Sequence, residues 1–425
     1  MTGVADPRLS RLPRMPALPV TAGPSASARQ SSVRATNLGV VLRCLCAAPE
    51  PLSRAGVAAA TGLTRSTVSR LVDDLVGGGL VEEGSATTVG PGRPGTPLTP
   101  SGRVCALGLQ VNAAHVAVRL IDLRGVVRAE SRSEPDLVGS EPTAALRLLD
   151  GHLRECLAAV PEGGRVVAAG MALPGVVDTA GQRLLTAPNL GWREVAPARW
   201  VHPLLPGTPL TLGNEANLAA HAFAQPAPGR PGPFSHFVYV SGEIGIGGAV
   251  VVDAEVQAGR HGFAGELGHM TFRPGGDPCP CGADGCLERY AGRLAMTRRA
   301  GLPDGTTLAE LGERAEQGHP GSREALDLAA EALGVVLAGV VNLLDVPTVV
   351  LGGEIGDLAR QLGPAVEDRL RRRVLAAEWM SVTVARDEDD VAGATGGALR
   401  LLTDVVADPV AHLVDGRRGA APVLA

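Results

Sequence analysis

Three cysteines and one histidine stand close together in a glycine- and proline-rich stretch, with the spacing H-x9-C-x-C-x4-C. They are His269, Cys279, Cys281 and Cys286. Three thiolates and one imidazole supply the four ligands of a closed tetrahedral zinc site, which leaves no position for an activated water. We therefore expect a structural zinc. A disulfide is the alternative, which the odd number of cysteines and the lack of a signal-peptide pattern in residues 1–34 disfavour.

A second group of polar side chains belongs to a predicted helix-turn-helix. Apolar residues repeat at helical spacing in "ATNLGVVLRCLCAAP" and in "LTRSTVSRLVDDLVGGG", where Thr64 is the expected N-cap. The second of these helices would turn a polar face away from its apolar stripe, and such side chains reach phosphates and base edges in the DNA major groove. The predicted DNA-binding residues on this face are Arg65, Ser66, Thr67, Ser69 and Arg70.

The following stretch, "LVEEGSATTVGPGRPGTPLTP", predicts a wing made of a strand, a flexible tip and a second strand. Arg93 stands between two Pro-Gly pairs, and an arginine on so thin a loop can enter the narrow minor groove, although a solvated loop arginine is the alternative. Residues 1–103 carry 11 arginines and 6 acidic residues, whereas the whole chain has a net charge of −5. This basic N-terminal part is compatible with a polyanionic partner, and the agreement of helix order, turn and wing favours DNA over a purely protein-binding helical module.

Composition and length divide the chain into several units. The 425 residues are 45% apolar but only 2% aromatic, so the core must consist mainly of Val, Leu and Ala. No apolar run is long enough to predict a membrane span, and we expect a cytoplasmic protein. The predicted units are a disordered arm (1–34), a winged helix-turn-helix domain (35–103), a first lobe (104–225, completed by about 390–412), a second lobe (226–389) and a flexible tail (413–425).

The body of the chain, from Val104 onwards, changes from a helical to a mixed pattern. Each half opens with paired strands around a tight hairpin and continues with alternating helices and strands, as in "RVVAAGMALPGVVD" and "TVVLGG". This repetition predicts a duplicated α/β fold with two lobes. A ligand of such a fold is expected in the cleft between the lobes.

The helix-turn-helix, the glycine-rich hairpins and the segment in which "GELGH" leads to C-x-C-x4-C-x-E resemble the ROK family of repressors and sugar kinases. The resemblance covers about residues 36–412 and implies a two-lobed, actin-like (ribonuclease H-like, hexokinase-type) ATPase fold. It also implies a sugar site of amides and carboxylates. The matching positions are Asn189, Asn214, Glu215, Glu266, His269 and Glu288. A turn-holding role is the alternative for Asn189, and a helix-capping role for Glu215.

The ATP-binding signature of the ROK kinases is incomplete in this chain. Their first phosphate hairpin resembles D-x-G-G-T, whereas residues 110–114 read Q-V-N-A-A, without the acidic residue and without either glycine. In the second hairpin, the carboxylate of Glu243 would repel a phosphate. The catalytic Asn-Asp-Ala motif of the kinases reads Asn-Glu-Ala here, so Glu215 is expected to be a vestigial base position and no residue is assigned a catalytic role.

The sequence therefore predicts a sugar-responsive, DNA-binding transcriptional regulator of the repressor type, without enzyme activity. Its expected partners are operator DNA, a sugar or sugar-phosphate effector, and one or three further copies of the chain in a homodimer or homotetramer. One alternative is an active, glucokinase-like, ATP-dependent sugar kinase with a fused DNA-binding head. Another is a regulator that has lost its sugar and responds to a protein partner.

Overall fold

A computed structural model describes residues 26–85 and 96–413, and its N-terminal part is the predicted winged helix-turn-helix. The elements of this part are α1 (Ala26–Ala47), α2 (Arg54–Thr61), α3 (Arg65–Gly77), β1 (Val81–Glu83) and β2 (Leu98–Pro100). Gly62 ends α2 in the left-handed conformation, with φ 72°, and the Thr64 side chain accepts a hydrogen bond from Thr67 N where α3 begins. Both signals are local in the sequence, which explains why the two helices could be predicted.

The two strands of the wing pair antiparallel, with Glu82 opposite Thr99, as the sequence predicts. The tip between them, residues 86–95, lies outside the described residues. One boundary needs correction: α1 begins at Ala26, so residues 26–34 are helical and do not belong to a disordered arm.

The first lobe contains a five-stranded mixed sheet in the order β10-β6-β3-β4-β5, with a small sheet β7-β8-β9 beside it. Its strands are β3 (Val104–Val111), β4 (Val116–Asp122), β5 (Val127–Ser133), β6 (Arg165–Leu173), β7 (Val176–Asp178), β8 (Arg183–Ala187), β9 (Trp192–Val195) and β10 (Leu210–Asn214). Its helices are α4 (Pro142–Arg147), α5 (Leu149–Ala158), α6 (Ala198–Val201) and α7 (Glu215–Ala224).

The second lobe contains another five-stranded sheet, in the order β13-β12-β11-β14-β15. Its strands are β11 (Phe237–Gly242), β12 (Ile246–Val252), β13 (Glu255–Val256), β14 (Thr348–Gly353) and β15 (Thr383–Arg386). The helices of this lobe are α8 (Glu288–Ala291), α9 (Arg293–Arg299), α10 (Leu308–Glu316), α11 (Pro320–Leu344), α12 (Glu354–Asp357) and α13 (Ala359–Arg373). After β15 the chain returns to the first lobe as α14 (Ala392–Ala407).

The two large sheets share one plan. Each has an antiparallel meander of three strands, followed by two parallel strands on the far side of the meander's first strand. The parallel strands are β6 and β10 in the first lobe and β14 and β15 in the second. This repeat confirms the predicted duplicated, two-lobed α/β fold.

The last helix, α14, joins the first lobe to the N-terminal helices. A Cβ atom placed on Gly396 would lie 1.8 Å from the carbonyl oxygen of Leu218 in α7, so the two helices touch backbone to backbone. Further along α14, Leu402 and Val405 share one apolar core with Leu38 of α1. The helix-turn-helix is therefore packed on the body through α14.

One helix, α11, is long and apolar enough to cross a membrane when judged by length and composition alone. However, 61% of its apolar window is buried inside the protein. Leu333, Leu337 and Val341 of α11 lie in the main core of the second lobe. A buried core helix meets the same length and composition criteria, and α11 has that place in this fold.

Candidate functional site

A cavity between the two lobes brings together all six residues that the sequence analysis assigned to a sugar site. They are Asn189, Asn214, Glu215, Glu266, His269 and Glu288. The second glycine-rich hairpin, residues 243–248, and the turn at Pro174 and Gly175 complete the wall. The cavity is therefore lined by carboxyl groups, amides and the backbone of a glycine-rich hairpin, a combination that suits a ligand rich in hydroxyl groups.

Asn214 and Glu215 lie where β10 ends and α7 begins. Leu173 of β6 is paired with Asn214 in the parallel register, so the turns after both strands meet at one edge of the sheet. The Asn214 amide donates to the carbonyl of Gly175 at 2.9 Å, and its Oδ1 accepts a hydrogen bond from Asn217 N at 3.1 Å. Asn214 thus caps α7 and fixes the cavity wall, and the predicted alternative of a capping Glu215 is wrong.

Two carboxylates, Glu215 and Glu243, make the base of the cavity acidic. Burial raises the pKa of Glu215 to about 7, although the amides of Asn112 and Gln110 act in the opposite direction. The Oε2 atom of Glu215 is buried and has no hydrogen-bond partner among the described residues. Burial, and then the carboxylates of Glu354 and Glu215, hold the pKa of Glu243 well above its usual range. A further negative charge at this position would be poorly tolerated.

Glu266, His269 and Glu288 reach the cavity from the loop that carries the cysteines. Glu288 Oε2 accepts a hydrogen bond from Ile246 N at 3.2 Å, which fixes its carboxylate against the glycine-rich hairpin. A Cβ atom on Gly245 would lie only 2.0 Å from that same oxygen, so glycine is required for this approach. Burial raises the pKa of Glu266, whose Oε2 lies 4.0 Å from His269 Nε2.

The four predicted metal ligands converge beside the cavity, with their ligand atoms all within 4.8 Å of one another. The Sγ atoms of Cys281 and Cys286 are 3.8 Å apart, and Cys279 Sγ is 3.8 Å from His269 Nδ1. Thiolates on one tetrahedral zinc, at about 2.3 Å from the metal, stand about 3.8 Å apart, whereas a disulfide joins sulfurs at about 2.0 Å. The donor set and its spacing therefore fit a four-coordinate metal ion and do not fit a disulfide.

Backbone hydrogen bonds shape the loop around these ligands. Cys279 N donates to the carbonyl of Ala283 at 2.8 Å, and Leu287 N donates to the carbonyl of Met270 at 2.9 Å. This second bond connects Met270, which follows His269, to Leu287, which precedes Glu288. A metal held by this loop would therefore also fix the two glutamates that face the cavity.

A smaller second cavity shares Glu215 and Glu243 with the first and occupies the side where the family resemblance places nucleotide phosphates. Its polar lining consists of Gln110, Glu215, Tyr239, Ser241, Glu243, Asp389 and Asp390. Asn112 Oδ1 accepts hydrogen bonds from the backbone of Ala114 and His115, at 2.9 and 2.8 Å, so the altered first hairpin is closed by a side chain. Gln110 and Asn112, which the sequence pattern marks only as lost phosphate ligands, are neighbours of Glu215 in the folded chain.

The predicted DNA-binding residues of α3 are not equally accessible. Arg65, Ser66 and Arg70 are exposed, whereas Thr67 and Ser69 are half-buried. Thr67 Oγ1 lies 2.8 Å from Thr64 Oγ1 and takes part in the start of the helix. The two arginines make no ion pair with any described residue, which leaves both side chains available for phosphates or bases. Arg93 lies outside the described residues.

Known proteins similar to this chain share both of its parts. Residues 106–404 match the ROK family, and residues 35–85 match the IclR helix-turn-helix domain. The xylose repressor of Caldicellulosiruptor bescii is 26% identical over 376 residues, which cover 84% of this chain and 93% of that protein.

Two solved structures show the same fold. A ROK family transcriptional regulator, a homologue of the E. coli MLC protein, superposes with a TM-score of 0.71 and 22% identity, over 90% of this chain and 99% of that one. A ROK family glucokinase from Streptomyces griseus, in complex with glucose and AMPPNP, gives a TM-score of 0.59 and 25% identity, over 69% of this chain and 98% of that one. The match to the regulator therefore extends further along this chain than the match to the kinase.

Proposed function

The chain belongs to the ROK family, and we propose that it is a DNA-binding transcriptional regulator of the repressor type whose affinity for its operator responds to a sugar. The coverage of its relatives supports this. A xylose repressor is matched along 93% of its own length, whereas the glucokinase match leaves about a third of this chain uncovered, since it reaches 69%. The helix-turn-helix at residues 35–85 supplies the DNA-binding part.

The observation that carries this proposal is the apolar core shared by the helix-turn-helix and α14. Leu38 and Leu42 of α1 pack in one buried cluster with Leu402 and Val406 of α14. Gly39 lies so close that a Cβ atom on it would be 3.0 Å from the carbonyl oxygen of Ala407. A packed core has discrete arrangements and does not deform smoothly, so a displacement of α14 must move or strain α1.

The other end of α14 borders the two cavities. Ala394 N donates to Gln110 Oε1 at 3.0 Å, and the Gln110 amide also acts on the carboxylate of Glu215. Gly396 rests on Leu218 in the second turn of α7, the helix that begins with Glu215. A sugar that draws Glu215 towards itself would therefore bias the position of α14 and, through the shared core, the DNA-binding helices.

The acidic second cavity supports a regulator without kinase activity. Phosphoryl transfer depends on positioning the phosphates and neutralising their charge. Here Glu215 and Glu243, together with Asp389 and Asp390, line the side where those phosphates would lie. This lining contains no cationic side chain among the described residues and any ionised carboxylate in it acts against phosphate binding, so Glu215 is best explained as a vestigial base position that serves ligand sensing.

The loop of His269, Cys279, Cys281 and Cys286 is proposed to hold one structural zinc. The metal would supply a fixed, closed coordination centre and no chemistry at the cavity. For DNA binding we expect a homodimer or homotetramer in the cytoplasm, because a two-fold operator presents two half-sites to two helix-turn-helix units.

A gel-shift experiment tests the proposal, with an operator selected by the purified protein from a library of random DNA duplexes. Arg70→Ala should weaken operator binding about tenfold and reduce the salt dependence of binding by about one ion. Arg147→Ala removes the same charge from an exposed position on α4 and serves as the matched control. Equal affinities for both variants would contradict the assignment of α3 to the DNA.

The kinase alternative is tested separately by measuring ADP release with ATP and a panel of hexoses. We expect no turnover, because the phosphate side of the cleft is acidic. Sugar-dependent turnover of about 1 s⁻¹ or more, the range of dedicated kinases, would overturn the sensor proposal. The protein would then be a sugar kinase fused to a DNA-binding domain.

A further inference from the structure

The ionisable side chains that line the inter-lobe cavity are mainly acidic. Four carboxylate residues line it: Glu215, Glu243, Glu266 and Glu288. Among the described residues of the lining, none is an arginine, and the chain contains no lysine. The imidazole of His269 has its Nδ1 directed at Cys279 Sγ, so it belongs to the cysteine cluster. The lining therefore offers no fixed positive charge to an anionic ligand.

Arginines near the cavity are already paired with acidic groups. Arg293 lies 3.4 Å from Glu354, and Arg119 lies 2.7 Å from Asp389. Releasing either of them towards a ligand would leave a partly buried carboxylate without its partner, which is strongly unfavourable. Moreover, the adjoining cavity adds Asp389 and Asp390 to the same acidic environment.

The polar groups of the cavity are matched to hydroxyl donors. An ionised carboxylate accepts hydrogen bonds from sugar hydroxyls and repels a phosphate dianion, which has no proton to donate, and a protonated carboxyl group still offers a phosphate no positive charge. Glu288 is held in place by its bond to Ile246 N, and Glu215 Oε2 is a buried acceptor with no partner among the described residues. Hydroxyl groups of a sugar would satisfy these acceptors, and phosphate oxygens would oppose them.

From this lining we propose that the effector is a neutral, unphosphorylated sugar and that the cavity rejects phosphate esters of the same sugar. The inference rests on the proposed function, since it narrows the ligand of that same site. It also separates this regulator from one that would sense a phosphorylated intermediate, because the phosphate would have to enter a cavity without a cation.

The test compares matched ligand pairs on the full-length, zinc-loaded protein. Free pentoses, hexoses and N-acetylhexosamines are each measured against their own phosphate monoesters by thermal shift and calorimetry. For a sugar that binds, its phosphate ester should bind at least about tenfold more weakly, a factor that corresponds to ~1.4 kcal/mol. A phosphate ester that binds as well as or better than the free sugar would overturn the inference while leaving the sugar-sensor proposal standing.

If neither form of any sugar binds while operator binding is intact, both the inference and the sugar response are overturned, and only the DNA-binding part survives. A charge variant adds a second readout. Glu266→Gln keeps an acceptor oxygen but removes a charge from a partly exposed position. The difference in binding affinity between a free sugar and its phosphate ester should therefore be smaller in this variant. Glu313→Gln, exposed on α10, should leave that difference unchanged. An unchanged difference in Glu266→Gln would show that charge does not cause the selection.

Discussion

Glu215→Gln should stabilise the protein above pH 7 and change its stability little near pH 5. Burial raises the pKa of Glu215 from its ordinary 4.5 to about 7. Between these two values the unfolded carboxyl ionises while the folded one keeps its proton, so the folded state loses stability as the pH rises. Above pH 7 the loss is complete, and a shift of this size corresponds to about 3 kcal/mol.

Glutamine removes this loss because it cannot ionise, and it keeps an oxygen for the amides of Asn112 and Gln110. For a body of this size, about 3 kcal/mol corresponds to roughly 5 °C in melting temperature. The measurement is thermal unfolding at about pH 5 and about pH 8, with Glu313→Gln as the exposed control. Equal stabilisation of Glu215→Gln at both pH values, or destabilisation at the higher one, would refute the assignment of a buried, raised-pKa carboxyl.

Two further predictions concern the metal and α14. Cys281→Ser should lower the zinc content, measured by metal analysis, from about one ion per chain. Cys44→Ser, which lies outside the cluster, should leave the zinc content unchanged. Equal zinc contents in the two variants would contradict the ligand set. Gly396→Ala should destabilise the protein by about 3 kcal/mol in chemical unfolding, because its Cβ would meet the Leu218 carbonyl. The helical control Gly339→Ala has open space, and an equal effect there would argue against the close helix contact.

The parts that sequence reasoning predicted correctly depend on signals close together in the chain. Thr64 caps α3 through Thr67, three residues away, and the cysteine cluster lies within one loop of fixed spacing. The repeated strand pattern likewise predicted two similar sheets, because each meander is formed by neighbouring strands. Such local patterns can be interpreted from the sequence because they do not depend on contacts with distant residues.

Other features depend on contacts between distant residues, and the sequence offered no means to predict them. Gln110 contacts Ala394, and Gly39 contacts Ala407. Because the two residues of each pair are far apart in the sequence, no spacing pattern predicts their contact. Asn214 was assigned a sugar contact, but its amide is already used to cap α7 and to hold Gly175. The choice between contacting a ligand and positioning its neighbours depends on such partners, which only the folded structure identifies.

The two sides of the cleft differ in their residues, and under the proposed function this difference would let the fold sense a sugar without phosphorylating it. The sugar side retains Glu266 and Glu288 on a loop whose ligands fit a metal. On the phosphate side, Gln110 now bonds α14, the helix that shares its core with the DNA-binding helices. Gln110 can therefore connect Glu215 to α14, because its amide acts on the Glu215 carboxyl group while its Oε1 accepts a hydrogen bond from Ala394 N.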